Sequence, residues 1–257
     1  MSFVTHSAYA PQSWGRGRTE RNLAEEVAVA IVVNGSTLAV MMATPADLEA
    51  FGIGFALTEG IIETATEIER IEVLDHDLGI EVRLWIGADK ANALNKRRRQ
   101  QAGPTGCGLC GIESIEAAMR DIAPVTARLD LSSEEITAAA ASLRPAQSLN
   151  AATHAVHAAA LWHRENGLLA ICEDVGRHNA LDKLAGRAAQ MNLPTSECAV
   201  LLTSRVSIEL IQKTTRLGAP VVIAISAPTR LAVDEAQKAG ITLIGVARED
   251  GFEIYGA

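Results

Sequence analysis

The chain has 257 residues, 48% of them hydrophobic, and a formal net charge of −8 at pH 7; it can bury a sizeable core, and its acidity argues against general nucleic-acid binding. Its longest apolar runs, such as VAVAIVV at 27–33, fall well short of the roughly 20 residues that cross a bilayer, so no membrane partner is expected. Four cysteines are too few for a disulfide scaffold, and the N-terminus lacks the features of a secretory signal, so the expectation is a cytoplasmic protein with reduced thiols.

Residues 1–24 are polar, glycine-containing and aperiodic, and read as a flexible arm. VAVAIVV and TLAVMMA then flank Asn34-Gly35-Ser36, a hairpin signal because asparagine and glycine tolerate positive φ. PADLEAFGIGFALTEGII follows as a helix, with Pro45 in its first turn and apolar Leu48, Phe51, Phe55 and Ile62. IERIEVLDHD and IEVRLWIG are strand-like, which completes a small α+β subdomain over 25–90. From 91 to 106 apolar periodicity is lost and the chain reads as a mobile basic linker or loop carrying Lys96, Arg97, Arg98 and Arg99.

Ile112, Ile115, Met119 and Ile122 recur at steps of three and four, marking an amphipathic helix that begins just after Cys110. SSEEITAAAASL supplies another, with Ser132 or Ser133 as N-cap. Beyond it GLLAICEDV, CAVLLTS, PVVIAISA and ITLIGVAR alternate with HNALDKLAGRAAQM, SIELIQKTTRLG and TRLAVDEAQKAG, and FEIY suits an edge strand. Alternating β and α over 107–257 predicts an α/β domain, and strands without polar alternation predict a largely parallel sheet covered on both faces.

In such sheets ligands bind beyond the carboxyl ends of the strands, where helix N-termini offer free N–H groups. The four strands exit into EDVGRHN, TSR, SAPT and VAREDG. The first exit is densest, with Glu173, Asp174, Arg177, His178, Asn179, Asp182 and Lys183 around a turn permitted by Gly176. Arg205, Lys213 and Arg248 are further cations for phosphates, and there is no Walker A loop. An anionic ligand is therefore expected to be held by several junctions together.

CGLC at 107–110 sets two thiols three positions apart among glycines. A structural zinc site wants four ligands and the chain has no second CxxC; Cys172 and Cys198 lie in apolar strand runs as core residues, and His154 and His157 match no zinc spacing. The zinc deaminase pattern is also unmet, since no HxE precedes the thiols and Cys107 follows glycine. No metal site is predicted. A CxxC at a helix start lowers a thiol pKa from about 8.5 to roughly 3.5–7.5. That serves either a redox pair or a reactive thiolate on a moving arm that loads a group and delivers it to a pocket.

CGLCGIESIEA, EDVGRHNALDKLAG, SRVSIELIQK, SAPTRLAV and ITLIGVAR, in that order, closely resemble the formate dehydrogenase accessory sulfurtransferases, the FdhD family, over roughly 27–255, and GFALTEGII is similar to an early motif of that family. The resemblance implies a cytidine deaminase-like three-layer C-terminal domain beside the smaller N-terminal subdomain. It implies sulfur accepted from a cysteine desulfurase as a cysteine persulfide and passed to the molybdenum cofactor, as bis-molybdopterin guanine dinucleotide, for formate dehydrogenase. By motif matching Cys107 carries the persulfide and Cys110 assists. The segment Val246, Ala247, Arg248, Glu249, Asp250 and Gly251 matches the family's cofactor-binding stretch. Further cofactor contacts are expected from Glu173, Asp174, Gly176, Arg177, His178, Asn179, Ser204, Arg205, Pro228 and Thr229 at the strand exits. A homodimer is a family-level expectation. A thiol–disulfide oxidoreductase and a non-catalytic cofactor chaperone are the alternatives from other classes.

Overall fold

The computed structural model describes residues 4–10, 20–101 and 123–256, with the side chains of 95–101 excluded. Cys107 and Cys110, the helix expected over Ile112 to Ile122, and linker residues 102–106 lie outside the described residues.

Strands β1 (His6–Tyr9) and β2 (Arg21–Ala24) pair antiparallel, so the described parts of the expected arm form a small sheet. Arg21 ties it down by donating to the Thr153 carbonyl at 3.4 Å. Four-residue strands are too short for their alternation to register in a sequence window.

Next comes a four-stranded sheet in the order β4-β3-β6-β5, from β3 (Val27–Val33), β4 (Ser36–Ala43), β5 (Ile68–His76) and β6 (Gly79–Ile86). Asn34 and Gly35 turn the β3–β4 hairpin with φ of 45° and 80°, the paired positive values that a two-residue hairpin needs. Helix α1 (Leu48–Thr58) starts three residues after Pro45, which stands outside the first turn. Its Leu48, Phe51 and Ala56 pack with Ile31, Val82 and Leu84 of the sheet.

Residues 91–101, expected as linker, belong to helix α2 (Ala88–Gln101). Alanine, lysine, arginine and glutamine are good helix formers even without a long apolar stripe. Ala91 and Leu94 rest on the sheet's core, and Lys90 pairs with Glu67 at 3.0 Å.

The second sheet has six strands in the order β12-β11-β10-β9-β7-β8. They are β7 (His157–His163), β8 (Gly167–Asp174), β9 (Cys198–Leu202), β10 (Val221–Ala224), β11 (Thr242–Arg248) and β12 (Gly251–Ile254). Only β9, β10 and β11 pair in parallel; β7 is antiparallel to both neighbours and β12 to β11. The sheet is thus mixed, where a largely parallel one was expected. The difference lies in HAAALWH, whose alanines carry little strand preference and which nevertheless forms β7, between β8 and β9 and antiparallel to both.

Helix α3 (Ser133–Ala146) covers one face, where Ile136 and Leu143 meet Leu201, Ile223 and Ile244. It starts in a capping box: Ser132 Oγ accepts from the Glu135 N–H at 3.2 Å while the Glu135 carboxylate accepts from the Ser132 N–H at 2.7 Å. A short α4 (Ser148–Thr153) follows. On the other face lie α5 (Arg177–Gln190), α6 (Ile208–Leu217) and α7 (Arg230–Ala239), packed through Leu181, Leu184, Leu210 and Ile211. The arrangement is a three-layer α/β/α sandwich. α1 lies against α5, so it is covered by the small sheet on one side and the large domain on the other.

Candidate functional site

Because β8 and β9 both run antiparallel to β7, they run in the same direction as each other. The ends of β8, β9, β10 and β11 therefore share one edge with His157, the first residue of β7. Between this edge and the end of α3 lies a cleft of about 640 Å³. Its sheet side is His157, Thr203, Ile225 and the end of β11, Ala247 to Glu249; its opposite side includes Arg144, Gln147 and Asn150. Apolar walls with a few convergent polar groups are the usual make-up of a ligand site.

Strand alternation decides which exit residues face the cleft. On β9 Leu201 packs toward α3 and Leu202 toward α5–α7, so Thr203 turns to the cleft, where its Oγ1 accepts from the Ala158 N–H at 2.8 Å. On β11 the alternation is shifted. Val246 has φ of 51° in the left-handed region, and the β11–β12 register slips between Gly245 and Arg248. A β-branched residue there is strained by about 1–3 kcal/mol, and such strain concentrates at ligand sites. The shift puts Ala247 with Ile244 on the α3 face and leaves Arg248 exposed at the cleft. Burial, then the Arg177 guanidinium, hold His157 below the usual imidazole pKa against the pull of Asp174.

Much of EDVGRHNALDK faces inward instead. The Glu173 carboxylate accepts from the Leu149 and Asn150 N–H groups at 2.8 Å each, fastening α4 to the sheet edge. Asp174 is 0% exposed. Its Oδ2 accepts from the Thr44 N–H at 3.0 Å and Lys183 Nζ at 2.5 Å; its Oδ1 accepts from the Gly176 N–H at 2.7 Å and Asn179 Nδ2 at 2.9 Å. Asn179 also donates to the Met42 carbonyl at 2.8 Å, and Lys183 to the Thr44 carbonyl at 2.8 Å. One turn on, Asp182 accepts from Thr58 Oγ1 at 2.6 Å and Lys213 Nζ at 2.8 Å, and Lys213 also reaches Glu59 at 3.0 Å. Burial pushes the Asp182 carboxyl up, opposed by Lys213.

Two of the expected cofactor contacts, Asp174 and Asn179, are placed in buried clasps between the two sheets' domains. Their polar groups are satisfied internally because an unpaired buried charge would cost several kcal/mol. Gly176 is the N-cap of α5, and a Cβ there would meet Asn179 Nδ2 at 2.7 Å.

The other predicted contacts lie across the sheet from the cleft, at the starts of α5, α6 and α7. Arg177 Nε and His178 Nε2 are buried with no hydrogen-bond partner among the described residues. Burial, then Arg177, pull the His178 pKa down to about 4 against Glu209, whose carboxylate is 3.8 Å away. Ser204 is buried and donates to the Arg205 carbonyl at 3.1 Å, while Arg205 is exposed. Pro228 bridges to Val206, and Thr229 caps α7 by accepting from the Ala232 N–H at 3.3 Å. Asp250 stands in the β11–β12 turn with Glu249, and Gly251 opens β12; both Asp250 and Gly251 are exposed. The structure thus brings Ala247, Arg248 and Glu249 to the cleft and leaves the other predicted contacts off its lining.

Arg144, Gln147, Asn150 and Thr203 were missed in the sequence. Thr203 adjoins Ser204 in the same strand exit, and only the parity of β9 chooses between them. Arg144 and Gln147 end a helix whose sequence shows what it buries but not which edge its last turn overhangs.

Two of the four cysteines are inert. Cys172 and Cys198 are 1% and 0% exposed. Burial pushes Cys172 up to about 12 and Cys198 up to about 11, so neither forms a useful thiolate at neutral pH. Among the described residues no group of three or more His, Cys, Asp and Glu is placed to hold a metal ion. No described helix is long and apolar enough to cross a membrane.

Comparison with known proteins agrees with this architecture. A crystal structure of a candidate formate dehydrogenase accessory protein from Desulfotalea psychrophila superposes with a TM-score of 0.76 at 26% identity, covering 98% of this chain and 96% of that one. A protein of Agrobacterium fabrum named sulfur carrier protein FdhD is 50% identical over 92% of this chain and 88% of its own. One of the same name from Cupriavidus necator is 48% identical over 98% and 88%. The family model described as the FdhD/NarQ family matches residues 24–257, and with relatives this similar along almost the whole length the chain belongs to that family.

Proposed function

We propose that this protein is a sulfur carrier in the maturation of formate dehydrogenase, acting in the cytoplasm. The observation that carries the reading is the match, at 50% identity over 92% of the chain, to a relative named as a sulfur carrier. The thiol inventory supports it: with Cys172 and Cys198 sealed in the core, sulfur chemistry falls to Cys107 and Cys110.

In the proposed reaction the Cys107 thiolate attacks the terminal sulfur of a cysteine desulfurase persulfide. The desulfurase S–S bond breaks, a new S–S bond forms on Cys107, and the desulfurase leaves as a thiolate, so this loading step needs no external oxidant or reductant. Cys110 assists. With the molybdenum cofactor bound as cargo in its bis-molybdopterin guanine dinucleotide form, the Cys110 thiolate attacks the Cys107 sulfur, the S–S bond of the persulfide breaks, the outer sulfur leaves to the cargo as sulfide, and the Cys107–Cys110 disulfide that remains is reduced by a cellular dithiol before the next cycle. The cleft at the sheet edge suits such cargo, with apolar walls for flat rings and the Arg248 guanidinium for phosphate. The buried clasps of Asp174 and Asp182 hold the domains together while the thiols work.

Complementation tests the reading. In cells lacking their own carrier, Cys107→Ala should reduce formate dehydrogenase activity to background, while a Cys172→Ala, Cys198→Ala double variant should keep most of it. Full activity with Cys107→Ala would overturn the proposal.

A further inference from the structure

Six arginines of this chain, Arg70, Arg83, Arg164, Arg187, Arg216 and Arg230, pair with carboxylates. Among the described residues Arg144 and Arg248, like Arg205, are exposed and form no ion pair with a carboxylate, but only these two line the cleft. Both line the 640 Å³ cleft, Arg144 from the last turn of α3 and Arg248 from the end of β11, and both are exposed. Glu249, the one carboxylate on the lining, is within ion-pair distance of neither among the described residues. Two arginines and one glutamate are the cleft's charged side chains besides His157. Arg144 sits at a helix C-terminus, where the macrodipole repels anions. Any anion held there must be held by the guanidinium itself.

The same lining carries apolar Leu143, Val156, Ile225 and Ala247, with amide groups from Gln147 and Asn150. That combination fits a flat ring carrying a diphosphate: the ring lies against the apolar wall, the amides read its edge, and the phosphates take the two arginines. Planar guanidinium groups bind phosphate oxygens two at a time, which one arginine cannot do for both phosphates. Nothing in the motifs that mark the family includes Arg144.

We infer that Arg144 is a specificity-determining residue that closes a two-arginine clamp with Arg248 on the diphosphate of a nucleotide-bearing cargo. The inference rests on the proposed function for the identity of the cargo. Its test uses GDP, which carries a guanine, a ribose and a diphosphate, and guanosine, which lacks the phosphates.

By calorimetric titration of the full chain, Arg144→Gln should weaken GDP binding by about 10–100-fold, the worth of one charged hydrogen-bonding group, and leave guanosine binding unchanged. Arg144→Lys should recover part of the loss, since it restores charge but not the planar fork. Unchanged melting temperature is expected, because the side chain is exposed. GDP affinity unchanged in Arg144→Gln, equal losses for GDP and guanosine, or no GDP binding by the unaltered protein would each overturn the clamp. Sulfur loading of Cys107 by a desulfurase, measured on the same samples, reports separately on the carrier reading.

Discussion

Replacing Lys183 with methionine is expected to lower the free energy of unfolding by about 3–5 kcal/mol, the usual result of removing one partner from a buried ion pair. Lys183 is 0% exposed, its Nζ lies 2.5 Å from Asp174 Oδ2 and 2.8 Å from the Thr44 carbonyl, and it sits over the Phe51 ring at 5.6 Å. Methionine fills the same volume but leaves the Asp174 carboxylate without its counter-ion, while the Thr44 carbonyl keeps only the Ala46 N–H as donor. Three donors to Asp174 remain, the Thr44 and Gly176 N–H groups and Asn179, so the loss is not larger. Adding Asp174→Asn should restore part of the stability. It removes the unpaired charge and keeps an acceptor for the Gly176 N–H and Asn179, while its amide nitrogen faces the Thr44 N–H donor, so the recovery is partial. Urea denaturation of the single and double variants checks both signs; a Lys183→Met loss below about 1 kcal/mol would show that the pair is not a clasp.

An equally large effect is expected from Gly54→Ala. Helices α1 and α5 meet backbone to backbone: a Cβ on Gly54 would lie 1.7 Å from the Asp182 carbonyl oxygen, and one on Gly186 would lie 1.8 Å from that of Ala50. Neither obstacle is a side chain that can swing aside. The helices must separate, which pulls on the Asp174 and Asp182 clusters that flank the crossing. Overpacking costs about 1–3 kcal/mol where cores can adjust; here the cost should reach or exceed the top of that range, and Gly186→Ala should match it. Gly87→Ala is the control. Its Cβ would meet nothing closer than Glu69 Oε1 at 3.8 Å, so its denaturation midpoint should hardly move. Equal stability for all three variants would refute the close crossing.

The same two clusters show where sequence reasoning reaches and where it stops. The density of charge in EDVGRHNALDK is visible in the sequence, as is its place between a strand and a helix. Its direction is not, because Thr44, Thr58 and Glu59 lie more than a hundred positions away and nothing local shows that Asp174 and Asp182 will close on them. Strands β8 to β11 were legible from their β-branched runs, whereas alanine-rich β7 was not, and with it went the mixed pairing of the sheet. The cleft's place at the strand ends followed from the α/β pattern. Its lining depended on the parity of β9 and on a left-handed Val246, features set by packing and not by composition.

Peptide-resolved mass spectrometry, after the reduced protein is incubated with cysteine and a cysteine desulfurase, tests the central claim most directly. The account predicts one extra sulfur atom on the 107–110 peptide, mapping to Cys107 and lost on treatment with cyanide. An unmodified peptide, or one carrying only a Cys107–Cys110 disulfide, would contradict it and turn the interpretation to redox chemistry or cofactor chaperoning.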